Sequence, residues 1–409
     1  MAGQRGQSGP NRQTHVAMAL VWHEFAHWVG ARRYAARAGW ALHQLGVLDV
    51  PLISRGAVDG LICQLHPDAR ELVAAVRKAR IPKVELSDRV PDMAVPRVMP
   101  DFAAAGRMAA EHLVDRRFRR FAFVGLSEAT AGAETGWLRG FRRATSKAGG
   151  ELKVLYAADL LERLSSPRAR VPRAMLLPGH FDAAPLVADA LAEMPKPLGV
   201  FVSDLWFCVE LLDACLARGL YVPEEVAFVS AGGDSHEAEL ASVPVSCVVL
   251  DFERQAYEAA ALLDRMVKGR EVSPQCRWIP PRELVVRPSS NVTAVESIPV
   301  ARALRYIAEN LEDKRLTPAR AAEAVGMSRR ALYYAFAEHV GGPIAAEIDR
   351  LRVARAAGLL ERTRMSVAAV ADACGYTDRK HLHRSFVRAV GAAPLAYRAA
   401  KARHTRAGR

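Results

Sequence analysis

Two short segments of this 409-residue chain gather hydrogen-bond donors on one face of a helix. In Leu316–Ala337 (LTPARAAEAVGMSRRALYYAFA), Ser328 precedes Arg329, Arg330, Tyr333 and Tyr334, while Leu332 and Phe336 form the opposite, apolar side. In Met365–Val390 (MSVAAVADACGYTDRKHLHRSFVRAV), Leu382 and Phe386 repeat the apolar pair and leave Arg379, Lys380, His383 and Arg384 outward. Residues three and four apart share a helix face, so each segment presents a compact row of donors. An arginine fork matches guanine O6 and N7, lysine or histidine serves a base or a phosphate, and a tyrosine ring can meet a thymine methyl. For each of these side chains a base contact and a phosphate contact both stay open. Tyr333 and Tyr334 either touch bases or belong to a unit that only positions the protein.

The elements that must carry these rows are legible in the same segments. Thr317 before Pro318 is a helix start: the hydroxyl can cap the first amides, and proline suits the first helical position. Ala322 and Gly326 are four apart, the small residue allowing close helix approach and the glycine a left-handed turn. Ser328 then caps the second helix. The second segment repeats the plan with Ser366, Ala371 and Gly375, its turn one residue longer. This is a tandem helix-turn-helix pattern, with a long helix around Ile344–Leu360 between the two units. It suits two helices entering major-groove segments about 34 Å apart. From Ile298 onward there are 21 Lys and Arg against 10 Asp and Glu, whereas the residues before it hold 36 against 34. The basic surplus behind the net charge of +13 therefore belongs to the segment with the donor rows, as a footprint for a polyanion would.

Over Pro299–Ala402 the sequence resembles the AraC/XylS family of transcription regulators, above all in the second unit and the closing GAAPLAYR, Gly391–Arg398. The resemblance implies base-edge contacts from Arg330, Tyr333 and Tyr334 in the first recognition helix. In the second it implies them from Arg379, Lys380, His383 and Arg384.

Before the linker the pattern changes. Short apolar runs recur at Val16–Val21, Gly60–Gln64, Lys83–Leu86, Arg120–Gly125, Ala174–Leu177, Gly199–Val202, Ala227–Ser230 and Cys247–Leu250. Amphipathic stretches such as Phe102–Asp115, Asp204–Arg218 and Phe252–Lys268 lie between them. Strands alternating with helices predict parallel sheets covered on both faces, and the length fits two similar lobes. Three stretches, Ala109–Gly125, Phe201–Ser230 and Leu240–Leu263, resemble the periplasmic-binding-protein-like effector domain of LacI-type repressors. The fold class expected is thus an α/β two-lobed periplasmic-binding-protein-like domain followed by an all-α double helix-turn-helix domain.

Such a fold takes a small polar ligand between its lobes, at the carboxyl ends of strands. Carboxylates there would bind hydroxyls and aromatic rings would stack on C–H faces. The candidates are Trp22 and His23 after the first strand, Asp101 before its helix, and Trp137 and Arg139, expected in the loop after Phe123. Asp204 after Val202 and Asp234 after the Ser230 strand complete the set. Asp101 and Asp204 are equally suited to capping helices, Trp22 to core packing and His23 to a surface role. Ser230–Ser235 (SAGGDS) departs from the Gly-x-Asp form common in LacI-type domains. The resemblance implies a regulator of a carbohydrate-utilisation operon controlled by a small sugar, a pentose such as xylose. The alternative is a degenerate, non-ligand-binding dimerisation module. Double-stranded operator DNA, a small sugar effector, a second copy forming a homodimer and RNA polymerase are the partners implied.

Other classes fit poorly. No GxSxG, P-loop, HExxH or paired-carboxylate motif supports catalysis, and no cofactor or metal is expected. The six cysteines form no CxxC pair and read as small buried residues of a reducing, cytoplasmic protein. No apolar run approaches a membrane span, so no membrane partner is expected. The domains expected are a disordered tail at 1–13, the ligand-sensing and dimerisation domain at 14–288, a linker at 289–298 and the DNA-binding domain at 299–409.

Overall fold

The computed structural model describes residues 13–21, 25–45, 53, 57–126, 133–164, 183–232, 236–273 and 275–407. The chain divides into two compact units. The first comprises Met1–Asp115, Arg119–Val222 and Phe228–Ser290; the second comprises Asn291–Arg409 with the short segments Arg116–Phe118 and Pro223–Ala227.

The first unit holds two six-stranded sheets. Strands β1 (His15–Leu20), β2 (Ala41–Gln44), β3 (Gly60–Gln64), β4 (Lys83–Glu85), β5 (Arg97–Pro100) and β11 (Cys276–Ile279) form one, in the order β11-β5-β4-β3-β1-β2. The other contains β6 (Arg120–Gly125), β7 (Glu151–Tyr156), β8 (Leu198–Val202), β9 (Val226–Gly232), β10 (Ser246–Val249) and β12 (Glu283–Val285), in the order β12-β10-β9-β8-β6-β7. Pairings in the first sheet are parallel, and in the second β12 runs antiparallel to β10.

The two faces of β1 show why a buried parallel strand reads as a continuous apolar run. Val16 and Met18 pack on one side with Ala31, Ala35, Ala256, Ala259, Ala260 and Leu263. Ala17 and Ala19 pack on the other with Leu61, Cys63 and Val76. Successive side chains alternate faces, and helices cover both. The helices here are α1 (Phe25–Ala38), α2 (Arg70–Lys78), α3 (Phe102–Asp115), α4 (Ala133–Lys147), α5 (Ala157–Leu164), α6 (Ala183–Ala192), α7 (Leu205–Ala217), α8 (His236–Leu240) and α9 (Phe252–Val267). Although α9 follows β10 of the second sheet, its alanine face packs on the first, so the chain crosses back between lobes.

Ser289 and Ser290, in the stretch read as linker from its polar composition, are fully buried. Ser289 Oγ donates to the Phe228 carbonyl at 2.7 Å, and Ser290 Oγ lies 2.7 Å from both Ser246 Oγ and His112 Nε2. Their hydroxyls are buried because each has a partner.

The second unit contains seven helices among its described residues: α10 (Ile298–Glu309), α11 (Pro318–Ala324), α12 (Arg329–His339), α13 (Ile344–Arg362), α14 (Val367–Ala373), α15 (Arg379–Val390) and α16 (Pro394–Ala407). No strand occurs among the described residues of Asn291–Arg409. The expected strand at 174–177 and all of the expected tail but residue 13 lie outside the described residues.

Candidate nucleic-acid interface and ligand cleft

Each helix-turn-helix is built by its caps and its apolar pair. Thr317 Oγ1 accepts from the Arg320 amide at 3.3 Å, and Ser328 Oγ from the Ala331 amide at 3.1 Å. Ser366 Oγ accepts from the Ala369 amide at 3.1 Å. Asp378 Oδ1 accepts from the His381 amide at 2.8 Å, and such amide bonds hold the Asp378 carboxyl below its ordinary range. Asp378, not a serine, caps α15 because the second turn is one residue longer. Leu332, Phe336, Leu382 and Phe386 are fully buried, each side chain contributing about 1.5–3 kcal/mol of burial.

With those positions inward, the remaining faces are solvent-facing. Arg330, Tyr333, Tyr334, Arg379, Lys380, His383 and Arg384 are all exposed. The Arg330 guanidinium lies 5.8 Å from the Tyr334 ring centre, and Tyr333 meets Tyr334 edge-on at 5.7 Å. These three therefore form one cluster on α12. On α15, Arg379, Lys380, His383 and Arg384 line a single groove with Pro394 and Leu395 of α16. Leu395, 64% exposed, was not singled out from the sequence; its place in the closing motif was the available signal.

The rest of that closing motif is structural. The Tyr397 ring packs edge-on against Phe386 at 5.4 Å, and its hydroxyl donates to Glu361 Oε1 at 2.5 Å. Arg398 donates to the carbonyls of Leu360, in the last turn of α13, and of Met365, in the segment after it, at 3.2 and 2.7 Å. Arg352, nearly buried on α13, donates to the carbonyls of Leu311 and Asp313 at 3.2 and 2.8 Å and lies over the Tyr376 ring. Tyr376 and Arg388 both bond Asp349, at 3.2 and 2.5 Å. The linking helix thus anchors α10's loop and the second motif together.

In the first unit, a cavity of about 450 Å³ lies at the carboxyl ends of strands from both sheets. Gln64 ends β3, Asp88 and Arg89 follow β4, and Ser203 and Asp204 follow β8. Trp206 (53% exposed) and Phe252 add rings, and Glu237 and Gln255 add polar groups. Asp204 also caps α7, its Oδ1 accepting from the Phe207 amide at 2.8 Å, so the cavity-lining carboxylate is at the same time the helix cap. Burial raises the Asp88 carboxyl above its ordinary range.

Trp137 lines this cavity, but it does so from α4, not from a loop as expected; the helix is already formed at Ala133. The ring is held by Phe102 and Phe201, at 5.0 and 5.8 Å. Arg139, two positions on, points elsewhere on the same helix. It lines a separate surface groove with Asp101, Arg107 and Arg143. Asp101 is the cap of α3, accepting from the Ala104 amide at 2.8 Å. Asp101 and Arg139 are therefore not among the residues around the cleft. Trp22, His23 and Asp234 lie outside the described residues.

Behind the cleft, Glu85 is completely buried beside Arg97, 3.6 Å away, and accepts from Ser87 Oγ at 3.0 Å. Burial outweighs these partners and pushes its carboxyl up to about 7. Five of the six thiols are buried, Cys276 being half-buried, and none is in a disulfide.

Two sheets converging on a strand-end cavity, with a separate tandem helix-turn-helix unit, define a class. The chain joins a periplasmic-binding-protein-like domain, matched over residues 110–290, to a helix-turn-helix domain of the AraC type, matched over 321–400. Within that class it is homologous to the xylose operon regulatory protein of Escherichia coli K12, at 27% identity over 289 residues, covering 70% of this chain and 69% of that protein. Over 100 residues it is 31% identical to the arabinose operon regulatory protein of the same organism, covering 24% of this chain and 34% of that one. The solved structure of the xylose-binding transcription activator xylR has the same fold, with a TM-score of 0.59 at 22% identity, covering 95% of this chain and 98% of that one. Among the described residues no helix is long and apolar enough to cross a membrane.

Proposed function

We propose that this protein is a cytoplasmic, sequence-specific transcription regulator of a carbohydrate-utilisation operon, switched by a small sugar, most simply an aldopentose, bound in the cleft. The domain division read from the sequence, with sensing and homodimerisation in 14–288 and DNA binding in 299–409, belongs to this reading, as does contact with RNA polymerase. The observation that carries it is the pairing in one chain of two exposed, cationic or aromatic helix faces with a cavity lined by carboxylates and rings. The names of its relatives, regulators of xylose and arabinose operons, support it.

The physics is that of linkage. Asp88, Asp204 and Glu237 offer acceptors for sugar hydroxyls and Arg89 offers donors, while Trp137 and Trp206 offer faces for C–H stacking. A sugar that engages both lobes favours their closed arrangement and shifts the population toward it. If closure changes DNA affinity, DNA must change sugar affinity by the same factor. The test is titration of DNA selected by the full chain, with and without each pentose and hexose, alongside calorimetric sugar titration. A change in DNA affinity with one sugar is expected. DNA binding unchanged by every sugar, with no heat of binding, would put the degenerate dimerisation module in its place. Absence of low-salt DNA binding by the folded chain would sink the regulator reading altogether.

A further inference from the structure

We propose that Arg352 and the loop at residues 311–314 lock the two helix-turn-helix units at one separation, and so make the protein selective for the spacing between the two DNA segments it reads. This rests on both units entering the major groove of one duplex.

The backbone joining the units does not by itself set that separation. Helix α10 packs on both helices of the first motif, α11 and α12, while α13 packs on α14, α15 and α16. The two blocks are joined in sequence through residues 340–343, Val-Gly-Gly-Pro, with Gly341 in the left-handed region at φ +82°. Nothing lies within 4 Å of where a Cβ at Gly341 or Gly342 would be. Two glycines with open space about them make a permissive joint.

The loop after α10 braces that joint. Arg352 Nε and Nη2, on α13, donate to the carbonyls of Leu311 and Asp313 at 3.2 and 2.8 Å, and the guanidinium carbon lies 5.8 Å from the centre of the Tyr376 ring. A planar fork holds two acceptors in one geometry. Here it ties the loop to the turn that leads to Asp378, the cap of α15. A Cβ at Gly375, in the same turn, would collide with both the Leu311 oxygen and Arg352 Nη2, so the packing is close. The loop also grips both motifs through its side chains. The Asp313 carboxylate accepts from Arg320 on α11 of the first, and Lys314 Nζ donates to Asp372 Oδ1 on α14 of the second, at 2.7 Å. Glu312 pairs with Arg355 on α13. Exposed pairs of this kind contribute little each, whereas Arg352 is buried. Two reading helices held at one separation bind a matched duplex with the avidity of both, and lose that gain where geometry forbids simultaneous contact.

The probes are a duplex selected by the full chain and two derivatives, with one base pair inserted or deleted between the two footprinted segments. One base pair moves the second segment by about 3.4 Å and turns it by about 35°. Gel-shift titration of the full chain reads the penalty. Wild type is expected to bind the altered duplexes about a hundredfold more weakly than the parent. Arg352→Met keeps the aliphatic stem without a donor, and in it the penalty is expected to fall to about tenfold or less. A residue that only stabilises the fold would weaken all three duplexes alike, and that result overturns the proposal. A wild type indifferent to spacing, or a footprint of one segment only, overturns it too while leaving DNA binding standing. If the folded chain selects no duplex at low salt, the regulator reading and the lock fall together. Should Arg352→Met not fold, the double variant Glu312→Ala with Lys314→Ala carries the test. Both side chains are exposed, so the fold is retained. Its spacing penalty must fall by about threefold, and an unchanged penalty overturns the lock.

Discussion

Gly375, in the turn of the second helix-turn-helix, lies against the carbonyl of Leu311, in the loop after α10, so closely that a Cβ at 375 would collide with that oxygen. Its backbone is also left-handed, with φ +70°. Gly326 occupies the matching turn of the first motif at φ +68°, but nothing lies within 4 Å of where its Cβ would be. Two glycines that look alike in sequence thus answer different demands, one conformational, the other conformational and steric.

The pair gives a direct comparison. Gly326→Ala is expected to cost about 1 kcal/mol, the strain of a left-handed alanine. Gly375→Ala carries the same strain plus a backbone collision, and about 2–4 kcal/mol is expected. Chemical denaturation of the full chain, followed by a probe in the helical unit, checks both. Equal losses would mean that the Leu311 contact relaxes freely.

On the exposed face of α15, Arg379 and Lys380 are neighbours of like charge but unlike geometry. Arg379→Ala is expected to relax sequence preference at one base position, at about 1–3 kcal/mol for a bidentate contact to guanine. Lys380→Ala is expected to weaken all sequences alike and to flatten the salt dependence. Binding selections at two salt concentrations distinguish these patterns. A uniform loss for Arg379→Ala would make it a phosphate contact.

Asp204 has two duties in the structure, and a simple truncation confounds them. Asp204→Ala removes both the cleft carboxylate and the α7 cap, so a stability loss of about 1 kcal/mol is expected beside loss of the sugar response. Asp204→Asn keeps a capping oxygen and alters only the charge. It should hold stability within about 0.5 kcal/mol and still lose most sugar affinity. Trp206→Ala, at a half-exposed ring, should lose sugar affinity with little change in stability. Full sugar response in all three variants would remove this cavity from the mechanism.

What the sequence disclosed follows from burial. The strands legible as apolar runs, β1, β3, β4, β6, β8, β9 and β10, are interior members of their sheets. Four that escaped, β2 (ALHQ), β7 (ELKVLY), β11 (CRWI) and β12 (ELV), are edge strands, half-solvated, each with a charged or polar residue breaking its apolar run. β5 (RVMP) escaped though interior, since Pro96 and Pro100 punctuate it as a loop. The helix-turn-helix units were legible because their caps, glycines and apolar pairs are local. The cleft was legible only in part. Asp204 follows a readable strand, whereas Phe252 and Gln255 reach the cavity on a helix that crosses back to the other lobe, a placement that local pattern does not encode.

His27 and Glu85 give the first unit opposite limbs of pH dependence. The unfolded imidazole titrates at 6.5 and the buried one at about 4. Between those values the unfolded chain binds a proton that the folded chain excludes, so stability falls as pH drops through this window. The largest loss from this one group is about 3 kcal/mol. Glu85 acts the other way: its carboxyl, raised from 4.5 to about 7, keeps a proton in the folded chain that the unfolded chain releases. Its contribution is present below 4.5 and lost as pH rises through 7. Neither effect survives removal of the titrating group. The two slopes oppose each other between pH 4.5 and 6.5, so relative to wild type His27→Gln is expected to make stability fall with rising pH in that window, and Glu85→Gln to make it rise. Denaturant titrations of the full chain at half-unit pH steps, read by a probe in the lobes, provide the curves. An unchanged slope in His27→Gln would mean that the folded imidazole titrates normally despite its burial.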